Sequence, residues 1–408
     1  MPSFSATSFV LPVAVALLGA CSSQTAGTGD PSSPGQPTLT VPTLSRSVVL
    51  SGLSGPWDIA FTSDGAMLYT EKCRGLSVRL ADGSIVRPFG TAGSALVAPD
   101  LACEGQSGVH GVALDPDFAT NRRVYVYMAS TQTTPRTNHV VRLVLSPDLR
   151  TASARTDIIT DIAFKHVGNA HGGAGAHSGG RLRFGPDRLL YVTTGDNHNA
   201  NIPQSPTLLG GKVLRVTTDG AAAPGNNPPA GYDPRIFTYG HRNVQGIDFR
   251  PGSGVPFISE HGPNHSDEVT ALRAGGNGGW DPKERPSLNC ADGYCGYAGN
   301  PTTMPMTDLQ RFPNAMRPAW TNNGSSQGTG PALFLNGEQW GAWNGRLAVG
   351  IMGGTRLDIL QLDDAGVGQG TSPSGLPSAR YRGLTQGPDG NLYVATDGGE
   401  IWKVTPTR

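Results

Sequence analysis

The sequence has no excess of charge of either sign and few charged residues altogether. Lysine and arginine number 31, aspartate and glutamate also number 31, and charged residues make up only 15% of the 408 residues. A protein that binds a phosphate backbone normally carries a basic surplus, so this balance argues against nucleic acid as a partner. Long segments with a 3.6-residue apolar period are also scarce, which argues against a mainly helical fold.

Glycine and proline, in contrast, are abundant. The chain contains 57 glycines and 33 prolines, well above the average usage of both residues. Many short apolar runs alternate with polar residues and end at Asp-Gly, Pro-Asp or Pro-Gly turns. Such runs are typical of short strands joined by tight turns, so the composition predicts an all-β protein.

The N-terminal region is predicted to be a targeting segment. Val10–Leu18 is an apolar run too short to span a bilayer, and Leu18–Cys21 is similar to a bacterial lipobox, whose cysteine is lipidated. The region before this run lacks the lysine or arginine that a signal peptide normally carries. We expect a signal peptide over residues 1–20, with a disordered N-terminus without lipid as the alternative.

A Ser/Gly/Thr/Pro tract, Ser22–Pro42, follows the lipobox. This composition is typical of a flexible tether. The sequence therefore predicts a lipidated tether over residues 21–45 and a folded domain over residues 46–408. The protein is expected to be an exported lipoprotein, periplasmic or on the cell surface, that meets the membrane only through the lipid at Cys21.

Four cysteines follow Cys21, namely Cys73, Cys103, Cys290 and Cys295. An even number in an exported protein indicates disulfides, and four cysteines allow three connectivities. Only the turn-like Ala-Asp-Gly-Tyr separates Cys290 from Cys295, so we predict a local pair there and a second pair between Cys73 and Cys103. A zinc site is the competing interpretation, but the spacing does not match common zinc ribbons.

One sequence phrase recurs along the chain: an apolar strand, an Asp/Pro/Gly turn and a second apolar strand. Its six copies lie at Trp57–Thr70, Gly111–Met128, Leu182–Thr194, Ile247–Ser259, Asn344–Ile351 (a degenerate copy) and Leu384–Thr396. Four-stranded blades repeated around an axis produce such a pattern, so the repeat predicts a six-bladed β-propeller. A β-sandwich would not explain the recurrence.

The stretch Asn169–Asp196 is the strongest candidate for chemistry. Five glycines crowd His171 and His177 in a loop, and glycine allows the close backbone approach that a ligand site needs. A β-hairpin follows and ends near Asp196, a carboxylate that the fold could bring back towards the loop. A histidine beside a carboxylate is suited to general base catalysis. The alternative is a solvated loop histidine with an aspartate that caps a turn.

Further motifs follow one another in a specific order. They are Gly105–Gly111, Ala176–Leu182, Thr194–Asp196, Gly211–Arg215, Tyr239–Gly246, Glu260–Asn264, Asp267–Val269, Gly276–Trp280, Arg380–Arg382 and Gly387–Gly390. Together they resemble the soluble quinoprotein glucose/sorbosone dehydrogenases, and the aldose sugar dehydrogenases in particular, over about residues 46–408. The resemblance implies a six-bladed propeller that holds pyrroloquinoline quinone (PQQ) and calcium at one end of the axis.

The resemblance also implies roles for individual residues. His177 matches the general base, Asp196 matches the carboxylate that orients it, and Arg242 is assigned to both catalysis and cofactor contact. The remaining cofactor contacts implied by the match are Gln106, Asn243, Arg380 and Arg382, with His177 also facing the cofactor. Gly262 and Pro263 match positions whose backbone carbonyls bind calcium, which suits a hard cation. Asp267 and Glu268 lie nearby and could bind the ion or cap a turn.

The implied activity is the PQQ- and calcium-dependent oxidation of an aldose at its anomeric carbon to a lactone, with electrons passed to an external acceptor. One departure from the family concerns a lysine expected before the last blade, where this sequence has Gly353 or Gly354 and no lysine between Lys283 and Lys403. Arg356 could substitute for it. A non-catalytic propeller that binds a sugar or a protein is therefore the alternative, and a propeller lactonase is a weaker third.

Overall fold

The structure is a computed structural model, and it describes residues 39–166, 172–263, 265–282 and 305–407. Within these ranges the chain is almost entirely strand, with one short α-helix, α1 (Phe118–Asn121), and one 3-10 helix (Glu338–Trp343). The first strands are β1 (Thr43–Leu50), β2 (Pro56–Phe61), β3 (Met67–Glu71), β4 (Gly75–Arg79), β5 (Ile85–Gly90), β6 (Leu96–Val97), β7 (Val109–Leu114), β8 (Arg123–Ser130), β9 (Thr137–Leu145), β10 (Ala152–Ile162), β11 (Leu182–Phe184), β12 (Leu190–Thr193) and β13 (Lys212–Val216). The strands that follow are β14 (Ile236–Tyr239), β15 (Val244–Phe249), β16 (Pro256–Glu260), β17 (Glu268–Ala271), β18 (Gly276–Asn277), β19 (Trp320–Thr321), β20 (Thr329–Phe334), β21 (Leu347–Ile351), β22 (Arg356–Leu362), β23 (Gly368–Pro373), β24 (Tyr381–Gln386), β25 (Leu392–Thr396) and β26 (Glu400–Thr407).

These strands form six small sheets, and the predicted six-bladed β-propeller is confirmed. In chain order, blade 1 is β2-β3-β4-β5-β6, blade 2 is β7-β8-β9-β10 and blade 3 is β11-β12-β13-β14-β18. Blade 4 is β15-β16-β17-β19, blade 5 is β20-β21-β22-β23 and blade 6 is β24-β25-β26-β1. Neighbouring strands are antiparallel except for the short fifth strands of blades 1 and 3, which pair parallel.

The recurring phrase corresponds to the first two strands of a blade. In blades 1, 2, 3, 4 and 6 the apolar halves of the phrase are the first and second strands, and the Asp/Pro/Gly turn joins them. The degenerate copy supplies only β21, the second strand of blade 5. Its partner β20 lies upstream, and the connection holds the 3-10 helix, whose Trp340 and Trp343 are buried between blades 5 and 6.

The two ends of the described chain close the ring. β1 pairs antiparallel with β26 from Thr43↔Thr407 to Leu50↔Ile401, so the N-terminal strand becomes the outer strand of blade 6. The compact unit that holds the propeller begins at Thr40. Pairing one terminal strand with the other gives the last blade a fourth strand and satisfies backbone groups that would otherwise form an open edge.

The core lies between neighbouring blades. Leu68 and Val78 of blade 1 pack with Val126 and Leu143 of blade 2, and similar apolar clusters separate the other blades. Burying one such side chain contributes about 1.5–3 kcal/mol of stability. Each sheet is therefore apolar on both faces where it meets its neighbours.

The propeller axis carries a charged cluster instead. Asp58 of β2 pairs with Arg181, just before β11, at 2.6 Å, and with Arg183 of β11 at 2.9 Å. We call these three residues the axial cluster. Asp58 is fully buried and also accepts the N–H of Val112, at 3.2 Å. A buried carboxylate is tolerated when paired and hydrogen-bonded, so the cluster ties the inner strands of blades 1, 2 and 3 together.

The predicted disulfide between Cys73 and Cys103 is confirmed, with a Cα–Cα distance of 5.4 Å. The predicted Cys290–Cys295 pair, the signal peptide, Cys21 and His171 lie outside the described residues.

Among the described helices, none is long and apolar enough to cross a membrane.

Candidate active site

A cavity of about 950 Å³ opens at one end of the axis, within the usual size of a small-molecule site. It lies where the first strand of each blade begins and the second strand ends. Lys72, His261, Met352 and Asp397 each follow the second strand of their blade directly, and all four line the cavity. The propeller thus gathers equivalent positions of the repeat at one site.

His177 lies on the wall of this cavity and is hydrogen-bonded to Asp196. The distance from Nδ1 to Asp196 Oδ1 is 2.7 Å, which leaves Nε2 as the ring nitrogen available to a ligand. Asp196 is fully buried, and its second oxygen accepts the indole N–H of Trp280 at 2.9 Å. The carboxylate is therefore fixed on both sides, and the imidazole is fixed with it. This is the geometry of a base and its orienting group.

The backbone around His177 is unusual. His177 has a φ of 52°, in the left-handed region that glycine favours, and Asn197 and His198 share this conformation. Position 195 requires glycine, because a Cβ on Gly195 would lie 2.1 Å from the His177 carbonyl oxygen. Asn197 Nδ2 donates to that same oxygen at 3.0 Å. Strained residues held by their surroundings are concentrated at functional sites.

Burial keeps the His177 ring neutral. Desolvation is the main cause that lowers the pKa of His177 well below its usual value, and the positive charges of Arg242, His261 and Lys165 add to it. Burial raises the pKa of Asp196, opposed by Arg242, His198 and the Trp280 hydrogen bond. A neutral imidazole that donates Nδ1–H to Asp196 satisfies both groups. Nε2 then carries the free lone pair that a base needs.

His198 was not predicted from the sequence, yet it stacks on the His177 ring. The centroids of the His177 and His198 rings are 3.6 Å apart, and the His198 backbone N–H donates to Asp196 Oδ1 at 3.0 Å. His198 thus contacts both members of the pair. Its position two residues after Asp196 is the one sequence signal for this role.

Arg380 and Arg382 lie together on the cavity wall, as the alternation predicted, and they share a carboxylate. Asp397 Oδ2 accepts Arg380 Nε at 2.8 Å, and both Asp397 oxygens accept Arg382 at 2.8 Å. We call these three residues the arginine cluster. The sequence analysis missed Asp397, although its place directly after β25 is the signal that the repeat provides. The cluster leaves net positive charge on the wall.

The other predicted cofactor contacts are divided between the cavity surface and the layer behind it. Gln106 and Asn243 line the cavity. Gln106 Nε2 donates to the Gly172 carbonyl at 3.2 Å. Arg242 is only 4% exposed and is not among the lining residues, and its Nη1 donates to the His261 carbonyl at 2.7 Å. Its direct contact with a cofactor stays a prediction, while its charge acts on His177.

The two predicted calcium-binding carbonyls lie on a loop that Asp267 holds. Asp267 Oδ1 accepts the Gly262 N–H at 2.8 Å, and Oδ2 accepts the Gln327 N–H at 2.8 Å. Asp267 thus caps backbone N–H groups of two segments, and whether it also binds an ion stays a prediction. Pro263 lines the cavity and Gly262 does not. The described residues contain no group of three or more histidine, cysteine, aspartate or glutamate side chains that could hold a metal ion.

At the position where the resemblance implies a lysine, the cavity wall carries a glycine. Gly353 lines the cavity next to Met352, and a Cβ at Gly353 would lie 2.6 Å from the Gln327 carbonyl oxygen. Arg356 does not replace the lysine, because its Nε pairs with Asp358 at 2.9 Å and the residue is not on the cavity wall.

The fold is a six-bladed propeller whose cavity holds the His177–Asp196 pair and the positively charged arginine cluster. Residues 53–403 match the family model described as Glucose / Sorbosone dehydrogenase, and the chain belongs to this family. It is therefore an oxidoreductase of the quinoprotein sugar dehydrogenase class, as predicted.

Individual relatives agree with this assignment. The chain is 29% identical to the aldose sugar dehydrogenase YliI of Escherichia coli over 375 residues, which covers 89% of this chain and 93% of that protein. It is also 29% identical to quinoprotein glucose dehydrogenase B of Acinetobacter calcoaceticus over 264 residues, covering 58% and 52%. The PQQ-bound aldose sugar dehydrogenase of Streptomyces coelicolor shares the fold, with a TM-score of 0.67, 24% identity, and coverage of 90% and 100%.

Proposed function

We propose that this protein oxidises aldose sugars at the anomeric carbon to lactones, with PQQ as the hydride acceptor and His177 as the general base. The observation that carries the proposal is the 2.7 Å hydrogen bond between His177 and buried Asp196 at the cavity wall. The arginine cluster lines the same cavity and offers positive charge to an anion. Bases and anion-binding groups that converge on one pocket are typical of an active site.

The residues present fit a flat, polyanionic quinone. Arg380 and Arg382 offer guanidinium N–H groups beyond those that Asp397 accepts, and guanidinium is suited to carboxylates. Gln106 and Asn243 add amides that suit quinone and carboxylate oxygens. The names of the relatives, a quinoprotein and a PQQ-bound dehydrogenase, support the same cofactor.

In the proposed mechanism, PQQ when bound supplies an electrophilic quinone that takes up the hydride. His177 Nε2 accepts the proton of the anomeric hydroxyl while the same carbon loses its hydride, so the carbon becomes the carbonyl of a lactone. Asp196 holds the ring in the required tautomer and stabilises the imidazolium that forms. Trp280 and the His198 backbone hold Asp196 in turn. The two electrons leave to an external acceptor.

Calcium is the proposed second cofactor. The Gly262 and Pro263 carbonyls would bind it, and carbonyl oxygens suit this hard cation. His261 Nδ1 lies 2.5 Å from the Gly262 carbonyl oxygen, so an ion that binds there competes with that hydrogen bond. We further propose export and lipidation at Cys21, on the sequence alone.

Reconstitution tests the proposal. Purified apo-protein is titrated with PQQ in calcium or in chelator, and aldose-dependent dye reduction is measured with lactone detected as product. We expect activity only with PQQ, and a lower activity and melting temperature in chelator, because an ion bound only by the folded state stabilises it. PQQ that binds without any aldose oxidation would support the non-catalytic alternative, and an unchanged melting curve in chelator would contradict the calcium site.

A further inference from the structure

The cavity wall carries a lysine that neither the sequence analysis nor the proposed mechanism uses. Lys72 follows β3 directly, at the position of blade 1 that corresponds to Asp397 in blade 6. Its side chain lines the cavity, and Nζ donates to the Gly105 carbonyl at 2.6 Å. An ammonium has three N–H donors, so two remain for a ligand.

Lys72 lies on one flank of the arginine cluster. Blade 6 stands between blades 1 and 5: a Cβ on Gly383 of blade 6 would lie 2.7 Å from the Trp57 carbonyl, and a Cβ on Gly350 of blade 5 would lie 3.0 Å from Tyr381 Cβ. The blade 5 flank presents Gly353, which has no side chain. Among the described residues that line the cavity, Lys72 on the blade 1 flank is the one lysine or arginine besides Arg380 and Arg382.

The position of Lys72 is fixed by its surroundings. Its backbone N–H donates to the Gly55 carbonyl at 3.0 Å, and its carbonyl accepts the Val109 N–H at 2.8 Å. The next residue, Cys73, forms the disulfide to Cys103, two residues before Gly105. These contacts fix the backbone of Lys72, and the bond to the Gly105 carbonyl directs its ammonium group, which lowers the conformational freedom lost when an anion binds.

The charge of Lys72 is also not neutralised within the described residues. Asp397 is shared by both arginines, whereas no carboxylate there forms an ion pair with Lys72. Lys72 and Arg382 act on the same buried ring: burial lowers the pKa of His110 to about 4, and both cations contribute to this shift. Lys72, His110 and Arg382 all line the cavity.

We propose that Lys72 forms a carboxylate-binding subsite of this cavity, which holds one carboxylate of the polyanionic quinone on the blade 1 side of Arg380 and Arg382. The inference rests on the proposed function and adds to it. The alternative is that Lys72 only holds the Gly105 loop through its bond to the Gly105 carbonyl and binds no anion.

The test measures equilibrium binding by quenching of tryptophan fluorescence in the apo-protein. Two probes are used: PQQ, and its trimethyl ester, in which the three carboxylates are uncharged. Lys72→Met removes the charge, Lys72→Arg keeps it, and Lys403→Met is the matched control, because Lys403 pairs with Asp389 at 2.8 Å and does not line the cavity. Melting curves of each apo-variant report on folding.

Lys72→Met is expected to raise the Kd for PQQ by about 10- to 100-fold, the value of one charge-assisted hydrogen bond. Lys72→Arg and Lys403→Met should stay within about 3-fold of the wild type, since each keeps the charge at the subsite. Binding of the ester should be equal in all variants. Wild-type affinity of Lys72→Met for PQQ, or an equal loss for PQQ and ester, would overturn the subsite alone. A wild-type protein that binds neither probe would overturn the proposed function and the subsite with it.

Discussion

The axial cluster and the arginine cluster contain the same chemical groups, one aspartate and two arginines, but they differ in burial. In the axial cluster the Asp58 and Arg181 side chains are 0% and 2% exposed, whereas Arg380, Arg382 and Asp397 are 49%, 22% and 29% exposed. Arg181 also donates to the carbonyls of Gln245, at 3.2 Å, and Arg382, at 2.8 Å. The axial arginines thus donate to protein groups, whereas Arg380 and Arg382 keep guanidinium N–H groups that can still bind a ligand.

This difference separates stability from binding. A buried aspartate with two arginines holds strands together only while all three members are present. Exposed pairs contribute little to stability, typically below about 1 kcal/mol, but they remain open to an incoming anion. The two clusters meet where Arg181 donates to the Arg382 carbonyl, so the axial cluster also supports the backbone of the arginine cluster.

The largest effect is expected from His177→Ala, which removes the proposed base from the cavity without touching either cluster. The turnover number should fall by about 10²–10⁴-fold while PQQ still binds, because the arginines remain. Arg382→Ala should do the reverse and lose cofactor loading, recoverable with added PQQ. Steady-state rates together with PQQ titrations separate the two outcomes. A His177→Ala rate no lower than that of a His166→Ala control, a change at an exposed histidine that does not line the cavity, would refute the mechanism.

Asp58→Asn should have the next largest effect, on stability. It leaves buried Arg181 without its counter-charge, and breaking a buried pair in this way lowers the free energy of unfolding by about 3–5 kcal/mol. Urea denaturation of the apo-protein measures it. If Asp58→Asn unfolded like the wild type and instead lost PQQ affinity, the division between the two clusters would be wrong.

Much of this architecture could be predicted from the sequence because the first two strands of most blades are adjacent in the chain and joined by a short turn. Each copy of the phrase contains its own turn, so five of the six hairpins were visible. Blade 5 was not fully visible, because its turn is replaced by the 3-10 helix and the buried Trp340 and Trp343 carry no local signal. The fifth strands of blades 1 and 3 are two residues long and lack any pattern.

The site was predicted less completely, since propeller closure joins distant positions. His177 and Asp196 lie on one hairpin and were found together. Asp58 and Arg183 are separated by 125 positions, and only the ring of blades brings them into contact. Arg242 illustrates the other difficulty: its motif is specific, but sequence does not show that neighbouring Asn243 takes the cavity surface while Arg242 is buried behind it.

The free energy of unfolding should depend on pH in different ranges for His110 in the cavity and Asp58 at the axis. Burial lowers the folded-state pKa of His110 to about 4, so between pH 6.5 and 4 the unfolded chain binds a proton that the folded protein does not. Stability is then present above pH 6.5 and lost as the pH falls towards 4, by at most about 1.4 kcal/mol per pH unit from this group.

The axial carboxyl responds in a lower pH range. Burial alone would raise the pKa of Asp58, but Arg181 and Arg183 outweigh it and lower the pKa below 3.8. Its contribution is therefore kept down to pH 3.8 and lost below it. Unfolding free energies measured from pH 7 to pH 3 in the wild type and in His110→Gln should show a shallower slope between pH 6.5 and 4 in the variant, in which buried His177 still contributes a slope of the same sign. An equal slope in both would exclude His110 as its source.

Asp397→Asn should have the smallest effect, and its sign distinguishes the clusters most directly. The same change that destabilises the axis removes a carboxylate that competes with any ligand for Arg380 and Arg382. Since the side chains of Asp397, Arg380 and Arg382 are all partly exposed, the free energy of unfolding should change by less than about 1 kcal/mol. The affinity for PQQ should rise by about 2- to 5-fold at low salt, because one negative charge has left the wall, and this gain should fade at high salt. PQQ titrations at two ionic strengths, with Asp389→Asn as a surface control, decide the matter. A loss of affinity would instead mean that Asp397 serves mainly to hold the two guanidinium groups in place, and that the cavity cluster, like the axial one, works only when its own aspartate is present.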